Sequence, residues 1–155
     1  MGKIIKKAVY NKDKTECLKI GYFKTVTGEI QIEQFLPTTK KVPKVLPKQI
    51  TSLRYAFENN INITISGIEH WDTSNVEDMS KMFFEAKNFN QSIGKWNTSN
   101  VTDMNFMFYG AENFNQDISK WDVSNVNDMS GMFYNATSFD KEKHWNKSLS
   151  KSRTR

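Results

Sequence analysis

Cysteine is nearly missing from this chain. Cys17 is the only one, which excludes an internal disulfide framework and any cysteine-cluster zinc site. Two histidines, His70 and His144, leave too little material for a histidine-rich metal centre. No apolar run approaches the ~20 residues needed to span a bilayer. The opening Met1 to Tyr10 has lysines but no apolar stretch of about 7–15 residues and no small-residue cleavage site, so no export signal is expected. A Gly-rich phosphate loop, a G-x-S-x-G elbow and an H-E-x-x-H pair are also absent. These absences argue against an enzyme.

Aromatic side chains are what the chain does hold. They make up 13% of the residues, within an apolar share of only 37%, so they must supply much of the core. At 155 residues the chain suits one domain. Charge divides it into zones. Residues 1–50 carry 11 lysines against 4 acids, residues 51–140 carry 5 basic and 12 acidic side chains, and residues 141–155 carry 6 basic residues against Glu142. Basic ends beside an acidic middle fit two readings: contact with nucleic acid or an anionic surface, or lysines that keep exposed strand edges soluble.

A repeat dominates the sequence. Trp71, Trp96 and Trp121 are 25 residues apart, and residues 71–95 match residues 96–120 at 16 of 25 positions without a gap. Residues 121–145 continue the pattern. A worn earlier copy places Ile50, Leu53, Ala56 and Phe57 26 residues before Val76, Met79, Met82 and Phe83. A fixed period of this length implies a stacked array, and about three and a half units exceed the ~3 that stacking requires.

Within a unit, Val76, Met79, Phe83 and Ala86 recur at helical spacing, widened by Met82. Asn75 and Asp78 fit a helix cap with an acid in the first turn, and Asn88 or Asn113 fits a left-handed helix end. Phe89, Gln91 and Ile93 alternate as in a short strand, with a corner near Gly94. The expected unit is therefore a strand, a corner, a helix of about three turns and a return. The expected class is an α/β, leucine-rich-repeat-like solenoid with Trp stacked on Trp, Phe on Phe and Met on Met. Asp72, Asp78, Asp103, Asp122 and Asp128 recur in equivalent settings, which suits turns better than a catalytic pair needing one special environment. Calcium between repeats is the lesser reading, since the glycines of the calcium-binding nonapeptide are missing. Cys17 is read as a buried, inert thiol.

The unit W-[DN]-x-S-N-V-x-D-M-x-x-M-F-x-x-A-x-x-F-N resembles the PARCEL repeat of bacterial surface proteins, and beyond it the BspA-type leucine-rich repeats found among surface lipoproteins. The resemblance is close over residues 71–140 and loose over 45–70. It implies Phe89, Phe114 and Phe139 on a strand, Val76 to Ala86 on the outer segment, no enzymatic activity, and a role in attachment at a cell surface or as a secreted protein. Without an export signal, a cytoplasmic protein or a processed fragment is the alternative.

Ile4 to Tyr10, Cys17 to Phe23 and Glu29 to Phe35 are rich in β-formers, with turn chemistry at Asn11 to Lys14 and Thr27-Gly28. A three-stranded β-meander over residues 1–36 should cap the apolar end of the array. Residues 37–48, with Pro37, Pro43 and Pro47, read as an extended connector, 49–145 as the repeat array and 146–155 as a frayed basic tail, all in one domain. Two function classes compete. One is a monomeric module, without cofactor, metal or membrane span, that binds a protein through variable polar positions: Gln91, Ser92, Gln116 and Asp117. The other binds nucleic acid or an anionic surface through Lys3, Lys6, Lys7, Lys40, Lys41 and Lys44, with Tyr10, Tyr22 and Phe23 as stacking residues.

Overall fold

The residues expected to be helical bury the side chains that their spacing selects, yet their backbone is not a helix. In the computed structural model, which describes residues 2–145, Val76, Met79, Met82, Phe83 and Ala86 are all buried. The N–H groups of Met82, Phe84 and Ala86 bond back three residues, to the carbonyls of Met79, Lys81 and Phe83. The intervening N–H groups of Met79, Lys81, Phe83 and Glu85 leave the segment. They donate to the carbonyls of Asp103, Asn105, Met107 and Tyr109 in the next repeat, at 2.7–2.9 Å. A helix keeps every donor within one segment. Here half of them join neighbouring repeats.

That alternation needs left-handed residues inside each chain of turns. Tyr55 and Asn59, Lys81 and Glu85, Phe106 and Gly110, and Gly131 and Asn135 supply them, with φ between 54° and 70°. The α/β class and the helix-per-repeat unit are therefore corrected. Among the described residues there is one α-helix, α1 (Lys141–His144), and one 3₁₀ turn (Ile68–His70). The remaining regular structure is two small antiparallel sheets near the N-terminus. The strand expected from Phe89 to Ile93 does not form either. Its one cross-repeat backbone bond runs from the Asn90 N–H to the Ile63 carbonyl. A corner does fall at Ile93–Trp96, where the Trp96 N–H reaches the Ile93 carbonyl.

The presumed capping residues have other work. Asn75, Asn100 and Asn125 donate their side-chain amides to the carbonyls of Lys48, Ser74 and Ser99, one repeat back. Asp78, Asp103 and Asp128 accept the N–H two residues on, from Ser80, Asn105 and Ser130, at 2.8–2.9 Å. They close Asx turns. Asn88 is not left-handed; its amide donates to the Ile61 carbonyl at 3.0 Å. Single parallel bridges link Gln31 to Ser52, Ser52 to Asp78, Asp78 to Asp103 and Asp103 to Asp128.

Like side chains stack between repeats. Phe35, Phe57, Phe83, Phe108 and Phe133 form a column with ring centroids 4.7–5.9 Å apart. Phe89, Phe114 and Phe139 form a second, and Trp96 lies on Trp121 at 6.4 Å. The indole N–H groups of Trp71, Trp96 and Trp121 donate to the carbonyls of Pro43, Ile68 and Ile93. A buried indole thereby keeps its one donor satisfied.

The N-terminal runs form strands, but two of them break. The elements are β1 (Lys3–Lys6), β2 (Val9–Tyr10), β3 (Cys17–Lys19), β4 (Tyr22–Lys24) and β5 (Ile30–Ile32). One antiparallel sheet has the order β1-β4-β5 and the other pairs β2 with β3. At the break, the Glu33 carboxylate accepts the Ala8 N–H at 3.1 Å, and a Cβ on Gly21 would collide with both groups. β5 joins the array directly: the Ile32 N–H donates to the Ser52 carbonyl, and Phe35 stacks on Phe57 at 4.7 Å. Residues 37–48 also take part, since Lys41 bridges both Glu16 and Ser66. The basic tail expected over 146–155 lies outside the described residues. No helix among the described residues is long and apolar enough to cross a membrane.

Candidate interaction surface

Each repeat follows its core phenylalanine with a second aromatic, in Phe83-Phe84, Phe108-Tyr109 and Phe133-Tyr134. The first of each pair points inward and the second cannot. Phe84 and Tyr109 are half-buried and Tyr134 is 60% exposed. Stacking brings these three into a column, with centroids 4.6 Å apart for Phe84–Tyr109 and 5.4 Å for Tyr109–Tyr134.

Beside it runs the first left-handed position of each unit, occupied by Tyr55, Lys81, Phe106 and Gly131. The Lys81 ammonium lies between two rings, 5.5 Å from the Tyr55 centroid and 5.6 Å from that of Phe106. The Arg54 guanidinium sits 4.9 Å from the Tyr55 centroid and donates to the Ser80 hydroxyl at 3.0 Å. Phe106 meets Tyr109 edge-on at 5.8 Å and so joins the two columns. The result is one continuous strip of aromatic and cationic side chains. Sequence reasoning missed it. The available signal was an aromatic recurring just off the apolar stripe.

The residues singled out from sequence lie on a different stretch of each repeat. The Gln91 side-chain Oε1 accepts the Ile65 N–H at 2.7 Å, and the Gln116 side-chain amide donates to the Asn90 side chain at 2.9 Å. Both glutamines thus bond between repeats. Ser92 and Asp117 are exposed, and Asp117 accepts the Ser119 N–H at 2.9 Å. Hydrogen bonds from the Ser119 hydroxyl and N–H hold the Asp117 carboxyl below its usual range.

On the N-terminal cap, Lys3, Lys6, Lys7, Lys40, Lys41 and Lys44 are exposed, and Lys41 pairs with Glu16 at 3.8 Å. Tyr22 is buried, Phe23 is half-buried within β4, and the Tyr10 hydroxyl accepts the Leu36 N–H at 3.0 Å. Cys17 is buried and its thiol donates to the Lys19 carbonyl. Burial, foremost, pushes its pKa up to about 11, so it stays a thiol at neutral pH.

A further face is polar: Thr51, Glu77, Thr102 and Asn127 line a shallow groove with Asn75, Asn100 and Asn125. Next to the aromatic strip, Asp78, Asp103 and Asp128 stand one above another. Asp103 is the one with an acid on each side. Burial, with the two neighbouring carboxylates adding to it, raises its pKa above the ordinary 3.8 against the opposing bond from Asn105. Among the described residues no group of three or more His, Cys, Asp or Glu side chains converges as a metal site.

A family model described as "Mycoplasma protein of unknown function, DUF285" matches residues 51–154, nearly all of the repeat array. The chain belongs to the DUF285 family. Membership rests on the repeats, and the N-terminal sheets and the whole connector lie outside the matched span. No curated protein and no solved structure matches the chain.

Proposed function

We propose that this DUF285 chain is a non-enzymatic protein-binding module whose contact surface is the aromatic strip. The observation that carries the reading is the half-exposed column Phe84–Tyr109–Tyr134, joined through Phe106 to Lys81 and Tyr55. Tyrosine and arginine dominate the energetics of protein interfaces, because a large rigid side chain buries much area at little entropic cost. Ring orientation favours a protein over a glycan. The rings of the column face one another, with interplanar angles of 8° and 22°, so both faces of Tyr109 and one face of Phe84 are covered. At Tyr109 solvent meets the ring edge and hydroxyl instead, and sugars stack on open faces. Ser92 and Asp117 are exposed on a different stretch of the repeat and are not part of this contact. The likeness of the repeats to PARCEL and BspA-type units supports attachment at a bacterial surface as the setting.

The test is capture of host and bacterial surface fractions on the immobilised chain, with Tyr109→Ser/Tyr134→Ser as the control. A partner retained by the wild type and lost by the variant is the expected result. The competing reading makes a different demand. Retention of DNA, RNA or anionic vesicles, falling steeply with salt and abolished by charge reversal at Lys3, Lys6 and Lys7, would replace the proposal.

A further inference from the structure

We infer that the aromatic strip takes an acidic, apolar segment of a partner protein, with one carboxylate seated on Arg54 and Lys81 and apolar side chains laid along Phe84, Tyr109 and Tyr134. The inference rests on the protein-binding reading above and adds the chemistry of the partner.

The cations are the first argument. Residues 51–140 hold only 5 basic side chains against 12 acids, and two of the five are in this strip. Among the described residues, neither Arg54 nor Lys81 lies within 4.0 Å of a carboxylate; the two ion pairs formed are Lys41–Glu16 and His70–Glu69. Both are held over rings instead, and Arg54 is oriented further by its bond to the Ser80 hydroxyl. A guanidinium fixed at one end keeps the rest of its donor fork for an incoming carboxylate.

Backbone conformation is the second argument. The column Tyr55, Lys81, Phe106, Gly131 is left-handed throughout, and only the last repeat fills it with glycine. A bulky L-residue there is disfavoured, so three large side chains occupy a position where glycine would be unstrained. Residues kept in such a conformation cluster at binding sites.

The surrounding charge limits what can dock. Asp78 and Asp103 border the strip, and the whole middle of the chain is acidic. A polyanion such as a nucleic acid would be repelled by that field, and the central ring of the column, Tyr109, has both faces closed to stacking bases. One carboxylate within an apolar segment meets the two cations without bringing a chain of negative charge against the aspartates. A flat lipid surface offers no such arrangement.

The experiment selects an unbiased phage-displayed peptide library on the full chain, then titrates synthetic copies of the enriched peptides. Enriched peptides should carry Asp or Glu beside aromatic or aliphatic residues. Their affinity should fall tenfold or more in Lys81→Gln and in Arg54→Gln, and be lost in Tyr109→Ser. Lys81→Gly should still unfold cooperatively, with its urea midpoint lowered only slightly, while losing the same affinity, which separates binding from folding. Enriched peptides without acids, binding within twofold of wild type in Lys81→Gln, or no enrichment at all would overturn the inference. In the first two cases, loss of binding in Tyr109→Ser leaves the broader protein-binding reading standing. In the third, capture from surface fractions decides it.

Discussion

Asp103 shows how stacking equivalent residues creates an electrostatic cost that one repeat would not have. Its carboxyl is half-buried, its neighbours in the column are Asp78 and Asp128, and its folded pKa is raised. For an acid raised in this way, the folded state binds the proton more tightly than the unfolded chain. The stabilising effect is complete below the ordinary value of 3.8 and is lost as pH rises through the folded value. Asp103→Asn keeps an oxygen to accept the Asn105 N–H and removes the charge. It should raise the urea midpoint at pH 7 and leave it unchanged near pH 3. A midpoint lowered at pH 7 would mean that the charge itself holds the Asx turn. Gly131 makes the complementary point about the backbone. With φ at 62° and the Phe106 ring packed over it, Gly131→Ala adds left-handed strain of about 1–2 kcal/mol and a clash. Gly28→Ala, at a φ of 99°, is at least as strained but has open space around it, so a larger loss of urea midpoint in Gly131→Ala than in Gly28→Ala would report the clash. Lys81→Gly runs the other way: relief of about 1 kcal/mol of strain stands against the loss of two ring contacts of about 0.5–1 kcal/mol each, a net cost of about 0–1 kcal/mol.

Within the repeat element, burial was legible from sequence and dihedral angles were not. Steps of 3, 4 and 3 residues identified Val76, Met79, Phe83 and Ala86 as core, and all four are buried. Those steps also arise from successive turns in which alternate N–H groups bond locally and across to the next repeat, so the spacing does not select a helix. Gly110 and Gly131 inside the expected helices, and Asn135 near the end of one, are poor helix formers at left-handed positions and were the available warning. The binding strip was hidden for a related reason: Phe84, Tyr109 and Tyr134 become neighbours only when repeats stack. The stacking also predicts graded energetics. Phe108 is fully buried between Phe83 and Phe133, and Phe108→Ala should cost roughly 3–5 kcal/mol. Phe133 is half-buried, and Phe133→Ala should cost clearly less in the same urea titration. Trp96→Phe keeps much of the ring and removes the indole bond to the Ile68 carbonyl, which still accepts the Trp71 N–H, for a loss of about 0.5–1.5 kcal/mol. Equal costs for Phe108→Ala and Phe133→Ala would show that the last repeat is as well covered as the second.

Across the whole molecule the question is whether the N-terminal sheets and the array unfold together. Arrays built from nearest-neighbour contacts can lose cooperativity, because each unit touches only the next. Here the junction resembles the contacts inside the array. β5 donates from Ile32 to Ser52 as Met79 does to Asp103, and Phe35 stacks on Phe57 closer than Phe57 stacks on Phe83. The connector adds a second tie, since Lys41 bridges Glu16 on one side and Ser66 on the other. Residue placement supplies two independent probes. All four tryptophans lie at or beyond Trp71, so their fluorescence reports the array, whereas Cys17 is buried in β3 and its reactivity toward a thiol reagent reports the N-terminal sheets. With junction and interior alike, the two transitions should coincide in urea within about 0.2 M, given slopes of about 1–3 kcal/mol/M. Exposure of Cys17 at distinctly lower urea, with tryptophan fluorescence still native, would mean that the sheets are a detachable cover. In that event Phe35→Ala should change only the thiol transition. If the junction is as strong as the ladder it continues, Phe35→Ala should move both transitions by the same amount.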